Sequence, residues 1–252
     1  MSNNFHKYIH ILRAIIPSIW FCLRHLPIRQ AIKLPILLYK PRLFHNSGKF
    51  VINGPVKFGM IRLGDYEVSI YPNNGIMLEN RGRIIFEGRC TIGNDSYISV
   101  GPKGVLTFGN NSGATTALKI ACYHKINIGY NVLIGWQNCL YDTDFHKLTD
   151  VKIEGKIEKK RTPGFGSIEI GHDTWIGNGC KIYKGVTIPP FSVVGSDTIL
   201  LKTFTSESFT LICNERAPAV KAHGIFRACL KTNVNKKRAS VECSGIYTLR
   251  IV

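Results

Sequence analysis

One stretch of the sequence, Tyr141 to Asp150 (YDTDFHKLTD), places a histidine among three acidic residues. The pKa of a histidine lies near neutral pH, so His146 can take the proton of a hydroxyl group as a general base. Asp142 and Asp144 are both candidates to hold the other ring nitrogen and fix its tautomer. A divalent metal ion could instead bind to the side chains of Asp142, Asp144, His146 and Asp150, although no second histidine is placed to complete such a site. An ordinary polar loop is the third interpretation.

A six-residue period surrounds this stretch. From residue 170 the sequence reads IGHDTW IGNGCK IYKGVT IPPFSV VGSDTI LLKTFT, and every hexad begins with an aliphatic residue. These first positions are Ile170, Ile176, Ile182, Ile188, Val194 and Leu200. Shorter runs of the same kind begin at Ile128 and, less regularly, at Ile92.

This period fits neither helices nor isolated hairpins. A helix needs apolar residues every three to four positions, and hairpins need regularly placed two-residue turns of the Asn-Gly type. The hexads instead predict a β-solenoid, in which each hexad makes one short strand and one corner, and three hexads close a triangular coil. The aliphatic side chains point inward, and each coil buries its core by stacking on the next.

The hexads resemble the left-handed β-helix of the hexapeptide-repeat acyltransferases. The segment IEIGHDTWIGNGCKIYKGVTI is similar to the signature of that family, and DTDFH resembles the segment that carries the catalytic histidine in the sugar O-acetyltransferases of capsule and O-antigen synthesis. The N-terminal segment LRHLPIRQAIKLPILLYKPRLF resembles the leader of that branch. The resemblance implies an all-β fold, a left-handed parallel β-helix with a helical N-terminal segment and a short C-terminal helix.

The resemblance also implies a reaction. It supports His146 as the base of a direct transfer without an acyl-enzyme, with acetyl-CoA as the co-substrate and no metal ion. It implies a homotrimer with each active site between two adjacent subunits.

The same resemblance implies a set of cofactor-binding residues. Trp175 would form part of the active-site wall, and backbone amides near Asn178 and Ser196 would lie beside the thioester arm of coenzyme A, where fixed donors can stabilise an oxyanion. Lys202 matches a lysine near the nucleotide end of the cofactor, and Lys221 could also serve the phosphates.

The period divides the chain into segments. Residues 1–48 are predicted to form a helical, amphipathic segment, and residues 49–205 the β-helix. Residues 147–167 break the period and predict a loop extruded from the solenoid, a place where function is common. Residues 206–230 resemble the closing segment and helix of the family, and the basic tail, residues 231–252, is predicted to be disordered.

The charge is unevenly distributed. The chain has 33 basic and 16 acidic residues, a net charge of +17, and no acidic residue before Asp65. This indicates an anionic partner, but no nucleic-acid-binding motif is visible, so we expect no nucleic acid. The basic, apolar N-terminus could cover the open strand edge of the first coil, rest on an anionic membrane, or do both.

Composition also bears on location. No run of 18 apolar residues is present, so no transmembrane helix is expected. The eight scattered cysteines contain no CxxC pair, which favours reduced thiols and a cytoplasmic protein, with the inner face of the cell membrane as an alternative place.

The leading functional hypothesis is an acetyl-CoA-dependent O-acetyltransferase that modifies a sugar hydroxyl of a capsular or other surface polysaccharide precursor, with an acceptor that can be lipid-linked. Two alternatives stay open: N-acetylation of an amino-sugar nucleotide by the same fold, and a non-catalytic β-helix scaffold. The zinc-dependent carbonic anhydrase of this fold needs three histidines across an interface, and the spacing of His124 and His146 does not support it.

Overall fold

The computed structural model describes residues 3–66, 69–145, 152–153, 156–157, 164–205 and 210–213. Two helices come first, α1 (Asn3–His25) and the single turn α2 (Ile28–Ala31), separated by Pro27. The other regular elements of the described chain are short strands. None of the described helices has the length and apolar character needed to cross a membrane.

Three parallel sheets form the faces of the solenoid. Face A consists of Ile36–Leu38, Ile61–Asp65, Cys90–Gly93, Ser112–Ala114, Leu133–Ile134, Trp175–Ile176, Ser192–Val194 and Thr210–Ile212. Face B consists of Arg42–Asn46, Ile76–Asn80, Ser96–Val100, Lys119–Cys122, Cys139–Tyr141, Lys181–Tyr183 and Ile199–Leu200. Face C consists of Lys49–Ile52, Arg83–Phe86, Val105–Phe108, Lys125–Ile128, Ile168–Ile170 and Thr187–Ile188.

The chain visits the faces in the order A, B, C in each complete coil, so three corners alternate along it. We name them the AB, BC and CA corners after the faces that they join. Parallel strands that are neighbours in space lie one full coil apart in sequence, and this is the strand pairing of a parallel β-helix. It confirms the predicted all-β fold of a parallel β-helix.

The core is a stack of aliphatic side chains inside the coils. The six first positions of the hexads that start at residue 170 are each no more than 2% exposed. On face B, Leu140 pairs in register with Ile182, and Ile182 with Leu200, so each inward side chain lies directly on the next. This confirms the inward direction predicted from the hexads.

The solenoid is longer than the sequence predicts. Its first strand is Ile36–Leu38 rather than one near residue 49, and its last described strand, Thr210–Ile212, lies beyond residue 205. The predicted extruded loop contains a short antiparallel hairpin of Lys152–Ile153 and Lys156–Ile157. The predicted closing helix and the tail 231–252 lie outside the described residues.

Helix α1 covers the open edge of the first coil. The hydroxyl of Ser18 accepts a hydrogen bond from the amide of Leu38 at 2.7 Å, and the thiol of Cys22 approaches the carbonyl oxygen of Ile36 at 3.6 Å. Phe21 packs against Phe50 with 4.9 Å between ring centroids. The edge strand and the end of the core are therefore covered, as the sequence-based hypothesis of a capping segment predicts.

Candidate active site

The extruded loop leaves the BC corner through a closed neck. The two sides of this neck, residues 142–144 and 164–166, are joined by backbone hydrogen bonds. The amide of Asp144 donates to the carbonyl of Gly164 at 2.9 Å, and the amide of Gly166 donates to the carbonyl of Asp142 at 3.0 Å. Because both ends of the loop are fixed to each other, the chain that follows Phe145 leaves the solenoid from a defined position.

Asp142 fixes this neck to the coil before it. Its side chain is completely buried, and its two carboxylate oxygens accept hydrogen bonds from the amides of Tyr123 and His124, each at 2.7 Å. Amide donors of this kind satisfy a buried carboxylate that would otherwise be costly to desolvate. Both oxygens of Asp142 are thus engaged inside the corner. Its predicted role as the residue that orients His146 stays a prediction.

Asp144 lies at the surface of the same corner. Its Oδ2 atom forms an ion pair with Nζ of Lys184, which belongs to the next coil, and its side chain is partly exposed. Sequence reasoning missed Lys184. The signal that could have found it is the register of Tyr141 with Tyr183, which makes residues 142 and 184 the first residues of equivalent corners.

Phe145 turns the chain immediately before His146. Its φ angle is +61°, a left-handed conformation that is uncommon for a bulky side chain. The amide of Phe145 donates to Oγ1 of Thr143 at 3.1 Å, and its ring meets that of Tyr123 edge to face at 5.2 Å. These contacts hold the unusual turn. His146 itself, Asp150 and Lys221 lie outside the described residues.

A groove on face B ends at this turn. It has a volume of about 480 Å³, and Tyr141 and Phe145 line it. Its other lining side chains include Tyr97, Ser99 and Lys119. Burial raises the pKa of Tyr141 to about 12, so its hydroxyl stays protonated and can donate a hydrogen bond. A mostly apolar concavity with a few polar groups is suited to an organic ligand.

The AB corner carries a ladder of side chain and backbone contacts. Oδ1 of Asn178 accepts a hydrogen bond from the amide of Trp136 at 3.0 Å, and the hydroxyl of Ser196 accepts one from the amide of Asn178 at 3.2 Å. Gly177 is required here, because a Cβ atom on it would lie 2.7 Å from the amide nitrogen of Ser196. Asn178 and Ser196, predicted as neighbours of the thioester, therefore occupy successive steps of one corner.

The two remaining described candidates lie at different places. Trp175 is on face A, between its register partners Leu133 and Val193, and is 39% exposed. Lys202 is exposed and follows the last strand of face B, so it belongs to the BC corner. The structure thus brings Lys202, Asp142 and Asp144 to the BC corner. It places Asn178 and Ser196 at the AB corner, with face B between the two groups.

A second histidine is paired with a carboxylate at the CA corner. Nδ1 of His172 lies 2.8 Å from Oδ2 of Asp173. The imidazole stacks on Tyr130 at 4.4 Å and meets Phe191 at 5.0 Å. Sequence reasoning gave this histidine no role, and its aromatic surroundings make it a component of a stacked corner. It is the natural control for His146.

The described part of the chain also contains histidines, acidic residues and cysteines outside these corners. Within those residues, no group of three or more His, Cys, Asp or Glu side chains converges as metal ligands would. Burial raises the pKa of the Cys180 thiol, which suits a packing role rather than that of a nucleophile. Cys139 is half-buried.

Comparison with known proteins finds similar folds at low identity. No family model matches the sequence, and no curated protein does. The solved structure of the polySia-specific acetyltransferase NeuO is 19% identical, covers 77% of this chain and 92% of its own, and has a TM-score of 0.47. The N-acyltransferase AntD from Bacillus cereus, solved with dTDP and 3-hydroxybutyryl-CoA, is 15% identical, with 75% of this chain and 80% of its own covered and a TM-score of 0.38.

A hexapeptide-repeat acetyltransferase from Vibrio cholerae is 16% identical, with 87% of this chain and 93% of its own covered and a TM-score of 0.34. At these identities and TM-scores, the fold assignment rests on the strand pairing of the chain itself. The chemistry that we propose rests on its own residues.

Proposed function

We propose that this protein is an acetyl-CoA-dependent O-acetyltransferase that acts on a sugar hydroxyl of a capsular or other surface polysaccharide precursor, with His146 as the general base. The proposal rests on the arrangement of residues at the BC corner. There the buried carboxylate of Asp142 fixes a closed neck, and the chain leaves this neck at Phe145 beside a groove that can hold an acceptor. His146 is the next residue.

The proposed reaction is a direct transfer. His146 takes the proton of the sugar hydroxyl while the oxygen of that hydroxyl attacks the thioester carbonyl of acetyl-CoA and forms a tetrahedral oxyanion. Collapse of this intermediate breaks the carbon–sulfur bond and leaves the acetyl ester on the sugar. The imidazolium then returns the proton to the departing thiolate of coenzyme A.

Asp144 is the better candidate to position the imidazole. Both oxygens of Asp142 are committed to backbone amides in the interior, whereas Asp144 is partly exposed and engages Lys184 through Oδ2. We assign its Oδ1 atom to the ring nitrogen of His146 that does not face the substrate. This contact would fix the tautomer and stabilise the imidazolium.

The proposed cofactor site lies at the AB corner. Asn178 and Ser196 would stand beside the thioester, and Trp175 would form a wall. Lys221 and Lys202 would meet the phosphates, and because Lys202 belongs to the BC corner, it would meet those of a cofactor bound to the neighbouring protomer. A face of six residues spans up to about 20 Å, too far for a base at one corner and donors at the other to act on the same carbonyl. This separation supports a homotrimer in which the BC corner of one protomer meets the AB corner of its neighbour.

The decisive experiment measures acetyl-CoA consumption by the purified full chain with a panel of saccharide acceptors. We expect His146→Ala to lower kcat by at least about a hundredfold, the usual contribution of a general base. The matched control is His172→Phe, which removes a titratable ring but keeps an aromatic ring between Tyr130 and Phe191. Equal rates for the wild type and His146→Ala would refute the catalytic assignment.

The acceptor panel also separates the alternative functions. Transfer to an amino-sugar nucleotide but not to sugar hydroxyls would identify an N-acetyltransferase. Failure of the wild-type protein to bind coenzyme A in calorimetry would support the non-catalytic scaffold.

A further inference from the structure

Helix α1 has two apolar sides. One side faces the solenoid, and its buried residues are Ala14, Ser18, Phe21 and Cys22. The other side is exposed to solvent and carries Ile16, Ile19, Trp20 and Leu23, which are between 44% and 78% exposed. At about 100° per residue, these two sets lie on opposite sides of the helix.

Two more exposed apolar residues lie at α2. Ile28 and Ile32 are 64% and 72% exposed, and they stand four residues apart at either end of that turn. We call Ile16, Ile19, Trp20, Leu23, Ile28 and Ile32 the outer apolar surface. A helix that packs on a soluble domain usually presents polar residues outward, so an apolar surface of this extent marks a place of interaction.

Basic side chains surround the outer apolar surface. Arg13, Arg24, Arg29 and Lys33 are all exposed, and the guanidinium of Arg24 lies 5.7 Å from the centre of the Trp20 ring. No acidic residue occurs in the sequence before Asp65. The partner of this surface must therefore accept both apolar side chains and uncompensated positive charge.

We propose that the outer apolar surface docks on an anionic lipid bilayer, with α1 lying in the plane of the interface. Anionic headgroups would neutralise the arginines and lysines while the apolar side chains enter the acyl boundary, the arrangement of interfacial amphipathic helices. Trp20 is of the residue type that prefers this depth. A second copy of this chain is the weaker partner, because pairing this surface with itself would bring like charges together, and residues 1–64 contain no acidic residue to balance them.

The opposite side of the helix would connect a docked α1 to the solenoid. Ser18 and Cys22 hold the edge of the first coil, so a helix bound to a membrane would fix the end of the solenoid to it. The same helix thus covers the edge of the sheet and links the solenoid to the bilayer. This proposal does not depend on the acetyl transfer chemistry.

The test is flotation of the purified full chain with vesicles of phosphatidylcholine alone or of phosphatidylcholine mixed with phosphatidylglycerol. We expect the wild type to float with the mixed vesicles, and Trp20→Glu/Leu23→Glu to bind them more than about tenfold less tightly. The matched control is Phe58→Glu/Ile70→Glu, which adds the same charge at two other exposed apolar residues. It should bind like the wild type.

Two outcomes overturn the proposal. One is equal binding of the Trp20→Glu/Leu23→Glu and control variants, which would make vesicle binding a matter of net charge alone. The other is a change in the sedimentation mass of Trp20→Glu/Leu23→Glu without lipid and no vesicle binding by the wild type, which would make the surface an interface between copies. Because the substituted side chains are exposed, we expect unchanged thermal unfolding. Should this pair unfold, Ile16→Gln/Ile19→Gln replaces it with the same expected loss.

Discussion

At the residue scale, the two aspartates of the DTDFH segment have different surroundings, so substituting each of them should have a different effect. In Asp142→Asn an NH2 group replaces an oxygen that accepts a hydrogen bond from the amide of Tyr123 or His124, so one backbone donor that faces this buried side chain loses its partner. We expect a loss of about 1–3 kcal/mol in the free energy of unfolding, measured with urea. Asp144→Asn removes a partly exposed ion pair and should cost less than about 1 kcal/mol. Equal losses would contradict this assignment.

Activity should follow the reverse order per folded molecule. Asp144→Asn removes the carboxylate that we assign to the imidazole of His146, so kcat should fall about tenfold or more while KM changes little. A nearby negative charge raises the pKa of a histidine, and its removal lowers that pKa. When kcat is measured as a function of pH, the acid limb of the curve should therefore move to lower pH in Asp144→Asn. An unmoved limb would assign Asp144 a purely structural role.

The sequence could predict which residues belong to this corner but not how each is used. The DTDFH segment places His146 after a clean coil, and this is visible from the hexads. Whether Asp142 or Asp144 points inward depends on the turn at the corner, which the hexads do not specify. Lys184 escaped notice because the extruded loop separates it in sequence from the coil that it contacts.

At the element scale, the contact between α1 and the first strand should carry measurable stability. Ser18→Ala removes the oxygen that accepts a hydrogen bond from the amide of Leu38, so this buried amide is left without a partner. We expect a loss of about 1–3 kcal/mol in the free energy of unfolding and faster hydrogen exchange at Leu38. Ser47→Ala, at an exposed position, is the control and should change neither. Unchanged exchange at Leu38 in Ser18→Ala would show that the helix does not protect this edge.

The packing of α1 on the first coil should weaken at acidic pH. Burial, together with the charge of Arg24, lowers the pKa of His25 below its ordinary 6.5, and its ring packs against Phe21 and Phe50. A histidine with a lowered pKa binds fewer protons in the folded state than in the unfolded state. Its contribution is therefore present above pH 6.5 and is lost as the pH falls below that value. In thermal unfolding, His25→Phe should show a smaller loss of stability between neutral and acidic pH, and an identical loss would exclude His25.

The boundaries of the solenoid illustrate the limit of pattern reasoning at this scale. The hexads from residue 170 predict their strands because the aliphatic first position of each hexad faces inward while the residue before it is more exposed. The first strand, Ile36–Leu38, is buried at all three positions, since α1 covers the side that would otherwise face solvent. From the sequence, a continuous apolar run such as Ile36–Leu38 next to a helix is predicted as part of the amphipathic segment. The predicted boundary at residue 49 therefore lies too late in the chain.

At the scale of the whole molecule, the coil count sets the height of the proposed site above the proposed membrane surface. On face B, four steps between neighbouring strands separate Arg42–Asn46 from Cys139–Tyr141. With about 4.8 Å per step and a helix about 10 Å in diameter, the BC corner would stand roughly 30 Å from the bilayer. Such a distance suits a saccharide that extends from its lipid carrier better than a sugar next to the headgroup.

The separation of the BC and AB corners leads to a complementation test of the proposed homotrimer. His146→Ala would disable the BC corner, and Ser196→Phe would block the AB corner with a bulky ring. If each site combines the BC corner of one protomer with the AB corner of the next, either variant alone is inactive. After dissociation and random reassembly of an equal mixture, about a quarter of the sites would combine two intact corners, so about a quarter of the wild-type activity should return. A site contained within one protomer would leave the mixture inactive. Sedimentation of the separate variants as trimers is the control, because it shows that both can contribute to the mixed assembly.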